Sequence, residues 1–187
     1  MQAIRQLMNA LERLATPEAC LFTLADLRAI LPLHSDSAFK TLLSRAVAEK
    51  RLSRICRGVY LLEKACPDRG LLLFHVVTKL RPLALNYLSL ETVLSDAGVI
   101  SQIPINRIMI MSTGRNNLID CGALGSIEFV HTRQLAPDLV ERLHFDVRCR
   151  LWRASVSQAL RDMRATHRSL DLIDWKAADE LVRSTGQ

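Results

Sequence analysis

A run of small hydroxyl side chains and cations is the part of this sequence best suited to chemistry. The run consists of Ser37, Lys40, Thr41, Ser44 and Arg45. Their spacing of three and four residues would place them on one face of a helix. Arg54 and Arg57 follow a short distance along the chain. Because such side chains hydrogen-bond to phosphate oxygens and to base edges, the run indicates nucleic acid as a partner.

The segment that carries the run is predicted to be a capped amphipathic helix. Its apolar stripe has helical periodicity and consists of Phe39, Leu42, Leu43, Ala46 and Val47. Ser35 lies where an N-cap residue belongs. An ordinary solvated helix would show the same polarity, so the neighbouring elements have to decide between the two interpretations.

A basic β-hairpin is predicted directly after this helix. Residues 52–56 alternate, Arg57-Gly58 supplies the turn, and residues 59–62 return. Between residues 35 and 64, seven cations stand against three acids. Upstream, helices are predicted over residues 2–14 and 24–31, with Thr23 as the cap of the second. The order helix, helix, turn, helix, hairpin predicts a DNA-binding winged helix-turn-helix over residues 1–65.

The segment from Ala65 to Gly70 is rich in turn residues and marks the predicted domain boundary. Beyond it, over residues 68–187, helices are expected at 71–80, 90–97, 155–165 and 175–182, with Ser89 capping the second of these. Strands are expected at 107–111, 115–121 and 125–131, with 147–152 as a candidate fourth strand. The predicted fold class is therefore α+β, a winged helix-turn-helix followed by a mixed α+β domain with a small, mostly antiparallel sheet.

Composition limits the class of protein. The chain has 187 residues, 49% of them hydrophobic, and a formal charge of +6, which favours a polyanionic partner. Its five cysteines form no CxxC pair and its five histidines have no ligand spacing, so we expect reduced thiols, no metal and no cofactor. We find no membrane-length apolar run and no apolar core of a signal peptide, and expect a cytoplasmic protein without a membrane partner.

A second basic cluster lies near the C-terminus. Between residues 142 and 168, seven arginines stand against two acids. Arg148 and Arg150 are predicted to share one strand face, and Arg161, Arg164 and Arg168 repeat at helical spacing. Such a surface would extend the DNA footprint, bind RNA or meet an acidic protein; a plain soluble basic face is the alternative.

The sequence contains none of the common catalytic motifs that we sought. GxxxxGK[ST], GxGxxG and HExxH are absent, and we expect no catalytic residues. The remaining enzyme alternative is a metal-dependent cluster at Asp120 or Glu128, which a predicted hairpin could bring together.

An ordered series of short motifs resembles a known family. The series runs from Arg57-Gly58-Val59-Tyr60 through residues 88–95 (LSLETVLS), 98–104 (GVISQIP), 112–115 (STGR) and 125–132 (GSIEFVHT). Together these motifs resemble the AbiE-type (AbiEi family) antitoxins of type IV toxin–antitoxin and abortive-infection systems. The resemblance covers most of the chain, although the N-terminal half matches mainly in architecture.

The resemblance implies two activities. The winged helix would bind inverted repeats in its own promoter and repress the operon. The C-terminal domain would counteract a nucleotidyltransferase-like toxin without a stable complex. The implied DNA-binding residues are Ser35, Ser37, Lys40, Thr41, Ser44 and Arg45, with Arg54 and Arg57 on phosphates. The implied antitoxin surface comprises Arg115, Arg148, Arg150, Arg161 and Arg164. The alternative function is a stand-alone regulator whose C-terminal domain senses a ligand or dimerises, and the oligomeric state is open.

Overall fold

The computed structural model describes residues 2–101 and 106–184. The chain divides into two compact units, Met1–Leu80 and Arg81–Gln187. Residues 102–105, which belong to the 98–104 motif, lie outside the described residues.

The described part of the first unit contains four α-helices and a three-stranded sheet. In chain order these are α1 (Gln2–Leu14), β1 (Leu21–Thr23), α2 (Leu24–Ile30), α3 (Asp36–Ala48), β2 (Ser53–Cys56), β3 (Val59–Leu61) and α4 (Leu72–Leu80). The helices and the hairpin predicted from the sequence are confirmed to within one residue at each end.

Local capping explains where α2 and α3 begin. The Thr23 hydroxyl accepts from the Asp26 N–H (3.1 Å), and the Asp26 carboxylate accepts from the Thr23 N–H (2.7 Å). The Ser35 hydroxyl accepts from the Ala38 N–H (3.4 Å) at the start of α3. The caps predicted at Thr23 and Ser35 are therefore confirmed.

A shared apolar core orients α3 within the first unit. Leu7 and Leu11 from α1, Leu27 from α2, and Phe39 and Leu43 from α3 are buried together. Because this face of α3 is fixed inward, the opposite face is directed outward.

The β2–β3 hairpin is joined to the rest of the unit in two ways. Strand β3 lies between β1 and β2 and pairs antiparallel with both. Gly58 in the turn has φ +85°, a left-handed conformation that glycine adopts without strain. Its carbonyl accepts from the Leu24 N–H (2.9 Å), which ties the turn to the start of α2. A register shift between Arg54 and Cys56 bends β2.

Helix α4 belongs to the first unit. Val76 and Val77 are fully buried, and α4 packs against β1 and β3. The sequence placed the boundary at residues 65–68, whereas the compact unit continues to Leu80. The turn-rich segment is thus a connection inside this unit, since the apolar face of the helix beyond it has to be covered.

The described part of the second unit is a six-stranded mixed sheet with four α-helices. Its elements are β4 (Asn86–Leu88), α5 (Leu90–Asp96), β5 (Arg107–Ser112), β6 (Asn117–Asp120), β7 (Ser126–His131), α6 (Ala136–Leu139), β8 (Leu143–Asp146), β9 (Leu151–Ala154), α7 (Val156–Ala165) and α8 (Trp175–Ser184). The strand order is β6-β7-β5-β4-β9-β8, with β4–β9 and β5–β7 parallel. The α+β class is confirmed, but the sheet is larger than predicted and mixed.

The candidate strand at 147–152 is confirmed at residues 151–152, which lie in β9, and is wrong at residues 147–150. Strand β8 ends at Asp146, residues 147–150 form a turn, and β9 begins at Leu151. Arg150 has φ +56°, which suits a turn and not a strand. Arg148 and Arg150 therefore do not alternate along a strand face.

Candidate nucleic-acid interface

The polar face predicted on α3 is exposed. Its exposed members are Ser37, Lys40, Thr41, Ser44 and Arg45. They lie opposite the stripe that is buried in the core, as the periodicity predicts. The face therefore has the small hydroxyls and cations that could contact a polyanion over about two turns of helix.

Two of the hydroxyls on this face also make contacts within the chain. The Thr41 hydroxyl donates to the Ser37 carbonyl (2.9 Å), so its oxygen lone pairs are left for a ligand. The Ser35 hydroxyl caps the helix and lies 3.3 Å from the Ser37 hydroxyl. Ser35 thus has a structural role that is independent of any ligand.

A groove between α3 and the hairpin brings the predicted cations together. The groove has a volume of about 810 Å³, and its lining includes Lys40 and Ser44 from α3 and Arg54 and Arg57 from the hairpin. Among the described residues that line it, none is acidic. The helix and the hairpin therefore form one cationic surface, the α3–hairpin groove.

The other edge of the α3 face lies towards α1. A second groove, of about 440 Å³, is lined there by Ser37, Thr41 and Arg45 together with Ala3 and Ile4 of α1. The five predicted residues on α3 are thus divided between two sides of one helix, and Lys40 and Ser44 face the hairpin.

The acids of this region lie at the ends of α3. Glu49 is 4.0 Å from the Arg45 guanidinium and 2.9 Å from that of Arg51. Asp36 pairs with Arg28 (2.9 Å) at the other end of the helix. The centre of α3 therefore keeps a positive surface.

Three predicted antitoxin residues lie at one end of the second-unit sheet. Arg115 follows β5, and Arg148 and Arg150 precede β9. Strand β4 runs antiparallel to β5 and parallel to β9, so the end of β5 and the start of β9 share a sheet end. Since paired strands lie about 4.8 Å apart, the β5 and β9 ends are about 10 Å from each other across β4.

The other two predicted antitoxin residues lie on α7. Arg161 and Arg164 are exposed there. The Arg164 guanidinium carbon is 5.4 Å from the ring centroid of Trp175, a cation–π contact that joins α7 to α8. The five arginines thus form two groups on different elements.

Arg168, from the same basic cluster, is part of an ion-pair network. It donates to Glu91 (2.9 Å) and to Glu128, and Arg107 lies 3.7 Å from Glu128. Burial alone would lower the pKa of Arg168, but its hydrogen bonds and charge interactions with the two glutamates outweigh burial and raise it. Arg168 therefore neutralises carboxylates of its own chain.

Asp120 and Glu128, the carboxylates on which the alternative hypothesis of an enzyme depends, interact with different partners. Asp120 accepts from the Gly122 N–H (2.8 Å), whereas Glu128 is held by Arg168 and Arg107. Within residues 2–101 and 106–184, no group of three or more His, Cys, Asp or Glu side chains could hold a metal ion.

A buried carboxylate organises the interior of the second unit. Asp162 is fully buried and accepts from Ser89 (2.6 Å), Gln158 (2.8 Å), Gln134 (3.0 Å) and Tyr87 (3.3 Å). Burial raises the pKa of Asp162, and the hydrogen bonds to it oppose that shift. Ser89 occupies the predicted N-cap position of α5, but its hydroxyl donates to this carboxylate and makes no capping hydrogen bond.

The sequence interpretation missed an exposed aromatic pair. Phe145 on β8 and Trp152 on β9 are directly paired, with ring centroids 5.5 Å apart and planes at 72°. The sequence feature that could have revealed this pair is the symmetric placement of Phe145 and Trp152 about residues 147–150. It was missed because that segment lacks the glycine or asparagine that usually marks a hairpin turn.

Comparison with known proteins gives no family for this chain. No family model matches it, and no curated protein is significantly similar to it. Among the described helices, none has both the length and the apolar character needed to cross a membrane.

Proposed function

We propose that the first unit is a winged helix-turn-helix that binds double-stranded DNA. In this proposal α3 enters the major groove and the β2–β3 hairpin contacts phosphates. The observation that carries the proposal is the α3–hairpin groove, where Lys40 and Ser44 meet Arg54 and Arg57 on a surface without described acids.

The dimensions of α3 support this docking. A helix with its side chains is about 10–12 Å wide, which fits a major groove about 12 Å wide. At 1.5 Å per residue, the span from Ser37 to Arg45 is about 12 Å, or three to four base pairs. Lys40, Ser44 and Arg45 are then the side chains closest to base edges, and Arg54 and Arg57 serve as phosphate contacts.

We propose further that the protein is an autoregulating antitoxin of the AbiE type. The support is the resemblance of the ordered motif series to that family. The DNA bound would be its own promoter, through inverted repeats, which places the protein in the cytoplasm. The second unit would counteract a nucleotidyltransferase-like toxin, with Arg115, Arg148, Arg150, Arg161 and Arg164 as candidate residues, and without a lasting complex.

DNA binding is tested by fluorescence anisotropy with labelled upstream operon DNA over a series of salt concentrations. Lys40→Ala or Arg45→Ala is expected to cost about 1–3 kcal/mol if the side chain reads a base. Arg57→Ala is expected to weaken binding evenly across sequences and to reduce the slope of log K against log salt by about 1.

Lys64→Ala is the matched control, because Lys64 is an exposed cation of the same unit outside both grooves. It should change affinity much less than Arg57→Ala. If no salt-sensitive complex forms with the operon DNA, the repressor proposal is wrong.

The antitoxin proposal predicts that a nucleotidyltransferase-like protein is encoded beside this one, and it is tested by co-expressing the two proteins. The full-length chain is expected to restore growth. Rescue should persist in the Arg54→Ala/Arg57→Ala variant when expression is driven from an unrelated promoter. DNA binding without rescue would favour the alternative, a regulator whose second unit senses a ligand or dimerises.

A further inference from the structure

The tip of the β8–β9 hairpin carries large aromatic side chains on the surface. Phe145 is 50% exposed and Trp152 is 44% exposed. Tyr87 on β4 is paired with Trp152, lies on the same face of the sheet and is fully buried. The face is thus covered at β4 and open at the hairpin, because β8 is the last strand in the order of the described sheet.

The two rings hold each other in an arrangement that leaves ring surface accessible. Their planes meet at 72°, so the edge of one ring contacts the other. Each ring fixes the other's position while about half of each side chain stays in contact with solvent. A flat, preorganised ring of this kind is a platform on which a base can stack.

Cations surround this pair. Arg148 and Arg150 lie in the turn beyond it, and both are exposed. Asp146, at the end of β8, accepts from the Arg148 N–H (2.9 Å) and the Cys149 N–H (3.1 Å) and lies 3.7 Å from Arg153. Arg153 also pairs with Asp96 (2.7 Å). Residues 147–150 contain two arginines and no acid, so the turn itself has a positive formal charge.

We propose that the hairpin tip, defined by Phe145, Val147, Arg148, Arg150 and Trp152, binds single-stranded nucleic acid. Bases stack on Trp152 and Phe145, and the two arginines contact the phosphates that link those bases. This activity is separate from the proposed binding of duplex DNA by the first unit and does not depend on it.

Charge and composition favour single-stranded nucleic acid over other partners of the hairpin tip. The arginines that interrupt the apolar residues of the tip favour a partner that carries negative charge along its length. A pair of aromatic rings beside two arginines of the turn matches the bases and phosphates of a nucleic-acid strand.

The first experiment uses Trp152 as its own reporter. The chain has two tryptophans, so Trp175→Phe in the full-length protein leaves Trp152 as the only one. Titration with 12-nucleotide oligouridylate and oligothymidylate should quench its fluorescence, and the comparison of the two distinguishes RNA from DNA. An unchanged Trp152 signal at saturating oligonucleotide overturns the proposal.

The second experiment measures anisotropy of the labelled oligonucleotides with excess unlabelled duplex to occupy the first unit. Trp152→Leu should raise the dissociation constant roughly 5- to 100-fold, whereas Trp152→Phe, which keeps an aromatic ring, should retain most of the binding. Arg148→Gln/Arg150→Gln should reduce the salt slope by about 1.4. Circular dichroism spectra and melting temperatures verify that each variant is folded.

The controls separate this proposal from the duplex-binding one. Arg54→Ala/Arg57→Ala should lose duplex binding and keep single-strand binding, and Trp152→Leu should do the reverse. Equal affinity of wild type and Trp152→Leu for the oligonucleotides overturns the proposal. So does preferential binding of polyglutamate at the same residues, or a Trp152-dependent dimer in sedimentation.

Discussion

At the scale of single residues, Asp162 has the most consequential environment. Burial raises its pKa, so the protonated form is favoured in the folded state relative to the unfolded chain, where an aspartate titrates near 3.9. The unfolding free energy therefore falls as the pH rises from about 4 through the raised pKa. Hydrogen bonds from four side chains limit this loss.

In the Asp162→Asn variant the side chain at this position does not titrate. The stability of wild type relative to this variant should be greatest near pH 4 and should decline towards neutral pH. Urea unfolding of both proteins at several pH values provides the measurement. A difference that stays constant with pH would mean that the four donors compensate the buried charge completely.

At the scale of secondary-structure elements, the two caps of the first unit differ in quality. The Thr23–Asp26 capping box has two short hydrogen bonds, whereas the Ser35 cap is a single bond of 3.4 Å. Thr23→Ala should cost about 1 kcal/mol of unfolding free energy, and Ser35→Ala should cost less. Chemical unfolding followed by circular dichroism gives both values, and an equal or inverted order would contradict the structural assignment.

The same elements show which features the sequence could predict. The caps, the apolar stripe of α3 and the turn at Gly58 depend on residues within a few positions, so local patterns were sufficient for them. The pairings β4–β9 and β5–β7 join distant segments, and local patterns hold no information on them. The turn at 147–150 was missed for a different reason. Its alternating residues imitate a strand, and only the left-handed backbone at Arg150 shows otherwise.

In the candidate site too, features set by nearby residues could be predicted and features set by long-range packing could not. The exposed face of α3 and the cations of the hairpin were predictable, because helix periodicity and turn residues fix both. The partition of that face between two grooves was not, since it depends on how α1 packs beside α3. The role of Arg168 was hidden as well, because its partners Glu91 and Glu128 are far from it in the sequence.

At the scale of the whole molecule, each unit has its own sheet. Two unfolding transitions are therefore expected in calorimetry, and variants should assign them. Thr23→Ala should lower the first-unit midpoint only. Arg168→Ala should lower the unfolding free energy of the second unit by about 2 kcal/mol, and with it the midpoint of the other transition, because it leaves Glu91 and Glu128 without their shared cation. A single transition shifted by both variants would show that the chain unfolds as one cooperative body.

The hydrogen bond between the Leu24 N–H and the Gly58 carbonyl bears on the thermodynamics of the proposed DNA binding. It anchors the hairpin turn at the residue where β1 becomes α2, so the spacing between α3 and the hairpin is set before any ligand arrives. A preformed surface avoids the entropic cost of ordering a loop during association. The heat-capacity change of complex formation should then reflect the surface buried between the partners, without a contribution from folding coupled to binding.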